Sequence, residues 1–239
     1  MKKAKKFISL FITICLLMTF VPMQMAYADS AFSGGNGTMD DPYLITSAND
    51  FKQLATEVNG GNNYSNTYFK IPETVTETIE LSTDDGYVPI GNDTNQFEGT
   101  FDGGNHTINL NLTGERLVGL FGEEGENSNL CNIRTTGSVS MTGYYAGGIV
   151  ANMYGNVVNC HNEASVTGYY HVGGIVGISD NSKYIINCSN SGAIVGNMNV
   201  GGIVGNISTL KVINCLNTGT VQGGSCGGIA GYCGIFRLI

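Results

Sequence analysis

Three histidines, His106, His161 and His171, are the first residues to consider for metal or acid–base chemistry in this chain. A metallopeptidase sets two histidines and a glutamate on one helical face as H-E-x-x-H, so that both imidazoles reach one zinc ion. None of the three begins that pattern, and His161-Asn162-Glu163 lacks the second histidine. No metal centre and no cofactor are expected. Cleavage of a sugar chain needs two carboxyl groups roughly 5–10 Å apart. Asp84, Asp85, Asp93 and Asp102 are concentrated in one region and could supply them. Asp84-Asp85-Gly86 and Asp102-Gly103-Gly104-Asn105 also have the composition of tight turns. Calcium near Asp40-Asp41 or Asp84-Asp85 is a further option, but the G-G-x-G-x-D repeat of calcium-binding coils is missing. From Val139 onward the only acids are Glu163 and Asp180. There the chemistry-bearing side chains are Tyr144, Tyr145, Tyr169 and Tyr170, whose rings could stack on sugars or pack against one another one repeat apart.

Six cysteines follow residue 130: Cys131, Cys160, Cys188, Cys215, Cys226 and Cys233. Zinc is disfavoured because no C-x-x-C exists. Cys160, Cys188 and Cys215 recur at one place in a repeat, and a disulfide between two of them would leave the third over. The simpler expectation is that they are small buried hydrophobes in the reduced state.

These residues are positioned by an internal repeat. Gly147-Gly148-Ile149, Gly173-Gly174-Ile175, Gly201-Gly202-Ile203 and Gly227-Gly228-Ile229 recur at intervals of 26, 28 and 26 residues. Val158-Asn159-Cys160-His161-Asn162, Ile186-Asn187-Cys188-Ser189-Asn190 and Ile213-Asn214-Cys215-Leu216-Asn217 form a second element. Val166, Ile194 and Val221 form a third column. One repeat earlier, Gly119-Leu120-Phe121-Gly122, Ile133 and Val139 take the three places. Each unit holds three apolar stretches too short for helices and rich in β-branched residues. One unit cannot bury its apolar side, whereas units stacked at ~4.8 Å bury it continuously. A coil of three strands and three turns needs about 25 residues, so the period specifies a parallel β-helix, all-β in class.

Strand alternation then predicts Val158 and Cys160 inward and Asn159 and His161 outward. The inward column is Ile133, Cys160, Cys188 and Cys215. Asn162, Asn190 and Asn217 fall at a corner, where amides of successive coils can bond along the axis. An exposed asparagine row that binds sugar is the alternative reading.

The glycine elements, together with Phe97-Glu98-Gly99-Thr100-Phe101-Asp102-Gly103-Gly104-Asn105-His106-Thr107-Ile108, resemble the GLUG-motif proteins of bacterial surfaces. The same modules stand upstream of the catalytic domain in IgA-specific metalloendopeptidases. Gly35-Asn36-Gly37-Thr38-Met39-Asp40-Asp41-Pro42-Tyr43-Leu44-Ile45 and Asp50-Phe51-Lys52-Gln53-Leu54-Ala55 resemble the module that opens such domains. The resemblance covers nearly all of the chain after residue 28. With the general preference for right-handed crossovers, it implies a right-handed coil and a surface location. It assigns no activity.

Residues 1–28 read as an export signal. Lys2, Lys3, Lys5 and Lys6 precede an apolar run from Phe7 to Val21, and Ala26-Tyr27-Ala28 supplies the small residues of a cleavage site. The four lysines leave with the signal and no acid does, so the mature chain is more negative than the −8 of the whole sequence. That charge excludes nucleic acid as a partner. Residues 29–67 form an N-terminal cap. Within it, Ser47 and Asp50 make a capping box, and Phe51, Leu54, Ala55 and Val58 mark a helix that Gly60-Gly61 ends. Residues 68–239 form the coils, with early strands at Tyr68–Ile71, Ile79–Leu81 and Ile108–Leu112, and with GLUG-like repeats from about 118. Ile108 is expected to sit one coil before Ile133.

The last coil, ending Cys233-Gly234-Ile235-Phe236-Arg237-Leu238-Ile239, has no polar cap. It reads as incomplete, a truncated product of a longer protein, and as an edge open to self-association. The function these readings support is a secreted or cell-surface scaffold or adhesive stalk without catalytic apparatus. A glycan or protein of the host or surroundings is its expected partner. The alternatives are a sugar-binding or sugar-cleaving β-helix, and the accessory region of a secreted protease whose catalytic module lies elsewhere.

Overall fold

The computed structural model describes residues 32–179, 183–208 and 211–234. The expected export signal, Asp180 and the final residues 235–239 lie outside them. The described chain is a parallel β-solenoid, one face of which carries seven strands at one strand per coil. It starts at Tyr43–Leu44 and continues through Tyr68–Lys70, Thr100–Asp102, Asn129–Cys131, Asn156–Val158, Tyr184–Ile186 and Lys211–Ile213. Every pair is parallel, so each strand is one coil further along the axis. The stack thus begins at Tyr43, inside the segment expected to be only a cap.

The expected three strands per coil become four faces. After the first face, Asn156–Val158, one coil runs through His161–Asn162 and Ser165–Thr167 on the second face. It then passes through Tyr170–Gly173 on the third face and Val176–Ser179 on the fourth. Each glycine pair is the corner between the third and fourth faces. That corner is an extra, very tight bend with no apolar stretch to announce it.

The helix Ala48–Asn59 follows the first strand directly, with Ser47 as N-cap. The Asp50 amide donates to Ser47 Oγ at 3.3 Å, and Ser47's own amide donates to Asp50 Oδ2 at 3.0 Å. Both halves of the capping box therefore satisfy amides that a helix start leaves unpaired. Phe51, Leu54, Ala55 and Val58 are buried in the same core as the coils, and the rings of Phe51 and Phe101 lie 5.5 Å apart. The first face opens with a strand before the helix and the second face only after it. The helix therefore covers the coil end that would otherwise be bare.

Two expected alignments are corrected by the register. Ile108 pairs with Thr135, not with the Ile133 column. It also pairs backward with Ile79, so the coil period starts earlier than Ile108. Val158 was expected inward, but Val157 is the fully buried residue and Val158 is only half-buried. The reason is Asn159, whose φ of 55° places it in the left-handed region. One residue there turns the chain and resets the alternation, so Val157 and Cys160, rather than Val158 and Cys160, both face inward.

Candidate functional site

The inward column on the second face is built from the two strand pieces around the first corner. Ile133, Cys160 and Cys188 are buried and Cys215 is half-buried on the last described coil. Two residues on, the column Ile79, Ile108, Thr135, Asn162, Asn190, Asn217 changes from apolar to polar. Thr135 Oγ1 donates to Asn162 Oδ1 at 2.9 Å. Asn162 Nδ2 donates to Asn190 Oδ1 at 2.7 Å, and Asn190 Nδ2 donates to Asn217 Oδ1 at 2.8 Å. Each amide also closes on its own backbone: Asn162 Nδ2 donates to the Ala164 carbonyl at 2.9 Å, and its Oδ1 accepts the Ala164 amide at 3.1 Å. This local bonding bends the strand, as Asn side chains do in turns. It also explains why coils with Ile108 or Thr135 keep one eight-residue strand (Thr107–Gly114, Arg134–Met141) where later coils have two short ones.

The asparagines and the glycine pairs fit one another. A Cβ on Gly148 would lie 2.3 Å from Asn162 Oδ1, one on Gly174 2.5 Å from Asn190 Cγ, and one on Gly202 2.3 Å from Asn217 Cγ. A Cβ on the first glycine of each pair, Gly147, Gly173, Gly201 or Gly227, would lie 1.9–2.1 Å from the carbonyl oxygen three residues on. Ile149, Ile175 and Ile203 are fully buried beside them, while Ile229 on the last coil is partly exposed. These residues share one interior, which makes them a packing unit: Asn162 and Asn190 are buried in it, and Asn217 on the last described coil is half-buried.

A second asparagine ladder lies outside. Asn132, Asn159, Asn187 and Asn214 all have φ between 51° and 55°. Their amides bond in series at 3.4, 3.1 and 2.7 Å, and Asp102 Oδ1 accepts from Asn132 Nδ2 at 2.9 Å. Sequence reading missed it. The signal was present in the Asn-Cys pairs at 159–160, 187–188 and 214–215 and in Asn132-Ile133 one coil earlier, since Asn tolerates the left-handed region better than other side chains with a Cβ.

The four tyrosines converge on the third face. Tyr144 and Tyr170, one coil apart, have centroids 5.8 Å apart and planes within 14°. Tyr169 meets Tyr170 edge-on at 4.6 Å, and Tyr145 lies 5.4 Å from His171. Tyr144 and Tyr169 are exposed. His171 Nδ1 is 3.2 Å from Asn199 Nδ2, giving the patch a polar border. The other histidines lie elsewhere: His161 Nδ1 meets Ser189 Oγ at 2.7 Å and its Nε2 lies 3.2 Å from Glu163, while His106 follows the turn after Thr100–Asp102.

The aspartates are not brought together by any contact between them. Asp84 and Asp85 form the exposed turn after Ile79–Ser82. Asp93 pairs with Arg116 at 3.0 Å, and Asp102 accepts the Gly104 amide at 2.9 Å. Among the described residues no cluster of three His, Cys, Asp or Glu is placed to hold a metal ion. One acid escaped the sequence reading. Glu124 is fully buried on the fourth face and accepts from the Tyr154 and Gly155 amides at 2.9 Å and from Ser128 Oγ. Burial pushes its carboxyl up to about 8, against the pull of those donors. The clue was a charge in the place that Met153, Ser179 and Ile207 take in later coils. An open cleft of about 540 Å³ between Thr46–Ala48 and Thr74–Glu80 lies beside the helix cap and is lined by none of the histidines, cysteines, tyrosines or asparagines singled out above.

No family model matches the chain. It is 32% identical over 165 residues to a "Putative Gly-rich membrane protein" of Evansella cellulosilytica, covering 66% of this chain and 18% of that protein. It is 36% identical over 155 residues to "Halomucin" of Haloquadratum walsbyi, covering 61% of this chain and 2% of that protein. Among solved structures it resembles a "putative immunoglobulin A1 protease" from Bacteroides ovatus, with a TM-score of 0.69 and 24% identity over 85% of this chain and 65% of that one. At that identity the likeness establishes the solenoid fold. The chain spans a small part of the two sequence relatives.

Proposed function

We propose that this chain is an exported, surface-located scaffold of the GLUG-motif type, a stiff stalk without catalytic apparatus of its own. The observation that carries this reading is the continuous bonding along the axis. Parallel faces tie each described coil to the next, and two asparagine ladders reinforce the coils between residues 132 and 217, which resists bending and stretching along the axis. The printed names of the relatives, a Gly-rich membrane protein and a halomucin, support a place at or outside the cell surface. The acid excess supports repulsion from nucleic acid and anionic lipid. The reading is tested by tagging the chain in its native host and digesting intact cells with protease. Tag lost from intact cells, or recovered in the medium, is expected. Protection equal to that of a cytosolic marker sinks the proposal.

A second reading, sugar binding on the third face, is favoured by the convergence of Tyr144, Tyr145, Tyr169 and Tyr170 beside His171. Exposed rings offer flat apolar faces to sugar C–H groups, with polar neighbours for the hydroxyls. Screening against a glycan array is the test, with Tyr170→Ala as control. Binding that the variant loses supports this reading, and the absence of binding by the parent chain removes it. Release of new reducing or unsaturated ends would move the reading to an enzyme.

A further inference from the structure

We propose that Cys188 and Cys215 are an oxidative modification site, joined under oxidising conditions by a disulfide that clips two consecutive coils together.

The six cysteines of the coils are thiols in this structure, and among the described residues only one column brings cysteines together on adjacent coils. Ser189 pairs with His161 and Leu216 with Ser189, so Cys160, Cys188 and Cys215 stand side by side on three coils. Cys131 pairs with Val158, Cys226 with Val200 and Cys233 with Ile207, so none of these has a cysteine as its neighbour in register. Adjacent parallel strands are ~4.8 Å apart, within the Cα separation of roughly 4.4–6.8 Å that a disulfide spans. The side chains already meet. Cys188 Sγ accepts the Cys160 amide at 3.4 Å, and the Cys188 and Cys215 thiols repeat the same inward pose, donating to the Val157 and Ile185 carbonyls of the preceding coil at 3.6 Å.

Access selects the pair. Cys160 and Cys188 are 1% exposed, while Cys215 is only half-buried. A small disulfide reagent therefore enters at Cys215. Its thiolate attacks one reagent sulfur, the reagent S–S bond breaks, and one reagent thiol leaves with the proton. Cys188 then attacks Cys215 Sγ, forming the inter-coil bond and releasing the second reagent thiol with the second proton. Two protein thiols are oxidised and one reagent disulfide is reduced. Hydrogen bonding among the stacked thiols raises both Cys188 and Cys215 above the usual thiol range. The exchange is therefore slow at neutral pH and accelerates as pH rises.

The test is incubation of the purified chain with oxidised glutathione at several pH values, followed by alkylation and peptide mapping. A peptide cross-linked between Cys188 and Cys215 is expected, forming faster at higher pH. It should be accompanied by a melting temperature raised by roughly 5–10 °C and returned to its starting value by dithiothreitol. Cys160→Ser should keep the cross-link, and Cys215→Ser should lower cross-linking in the column at least tenfold. Three results would overturn the proposal: all three thiols alkylated after full incubation, glutathione retained on Cys215 without transfer, or a Cys160–Cys188 link forming in Cys215→Ser at the parental rate. Because Cys160→Ser tests the same bond, a poorly folded Cys215→Ser would not rescue the idea.

Discussion

The coils before residue 125 and those after it solve the same packing problem with different materials. The early interior is aromatic: Phe69 meets Phe97 at 5.9 Å, Phe97 meets Phe121 at 5.3 Å, and Phe101 meets Phe121 at 5.5 Å. After Phe121 the next phenylalanine is Phe236, and the described interior is mostly Ile, Val, Ala and Cys, with Leu130, Met141, Met153 and a row of amides. In the early part the step from coil to coil is uneven and carries side loops. In the later part, ladder partners are 27 or 28 residues apart. Large rings fill a wide, irregular section and tolerate variation in register, because apolar contact is non-directional. Amides and glycine corners tolerate none. A shift by one residue would break the bond series and put a Cβ into a neighbouring backbone. The later coils can therefore repeat closely, and the early ones need not.

This contrast can be broken from either side. The largest effect is expected for Phe101→Ala, which empties the early core and should cost about 3–5 kcal/mol in urea unfolding; a loss below 1 kcal/mol would mean the ring stack is dispensable. Next comes Glu124, at the junction of the two regions. Its folded-state carboxyl, raised to about 8, holds its proton more tightly than in the unfolded chain. Stability is then full below pH ~4.5 and falls as pH rises toward 8, by on the order of 2–4 kcal/mol. Glu124→Gln should flatten that slope in denaturation curves taken from pH 4.5 to 8.5, and an unchanged slope would assign it to another group.

Asn190→Ala removes the middle rung of the inner ladder and takes from Asn162 Nδ2 and Asn217 Oδ1 their inter-coil partners, leaving each only its bond within its own turn. A loss of about 2 kcal/mol is expected by chemical denaturation, with local amide exchange rising first in the later coils. Ser47→Ala, which unmakes the helix cap, is the smallest at about 1 kcal/mol. If it proves as costly as Phe101→Ala in thermal melts, the helix is holding the early coils in register as well as covering them.

The legible features were local or periodic. The helix announced itself through Ser47, Asp50 and the spacing of Phe51, Leu54, Ala55 and Val58, all within a dozen residues. The later repeats announced themselves by recurrence. The early alignment did not, although Ile108 and Thr135 are a regular 27 residues apart: Thr107–Gly114 carries three alternating apolar residues, Ile108, Leu110 and Leu112, and nothing local says which column each one joins. The tight bend between the third and fourth faces was likewise hidden, since glycine corners carry no apolar pattern. Glu124 was passed over because nothing in the local sequence reveals that Tyr154 and Gly155, a full coil away, turn their amides toward it.

The sequence by itself determined the period of the later coils, and with it parallel stacking and the columns of Cys, Asn and Gly. Repetition at one interval places like residues above one another whatever the shape of the coil. Alternation already put Asn159 outward; only the tertiary structure decided that the corner asparagine, Asn162, enters the core and bonds to its counterparts there. Asn159 and Asn162 are chemically identical, yet the left-handed backbone at Asn159 turns it outward and resets the alternation so that Asn162 enters the core. That backbone state is stabilised by amides on the coils above and below, so it exists only once the coils have stacked.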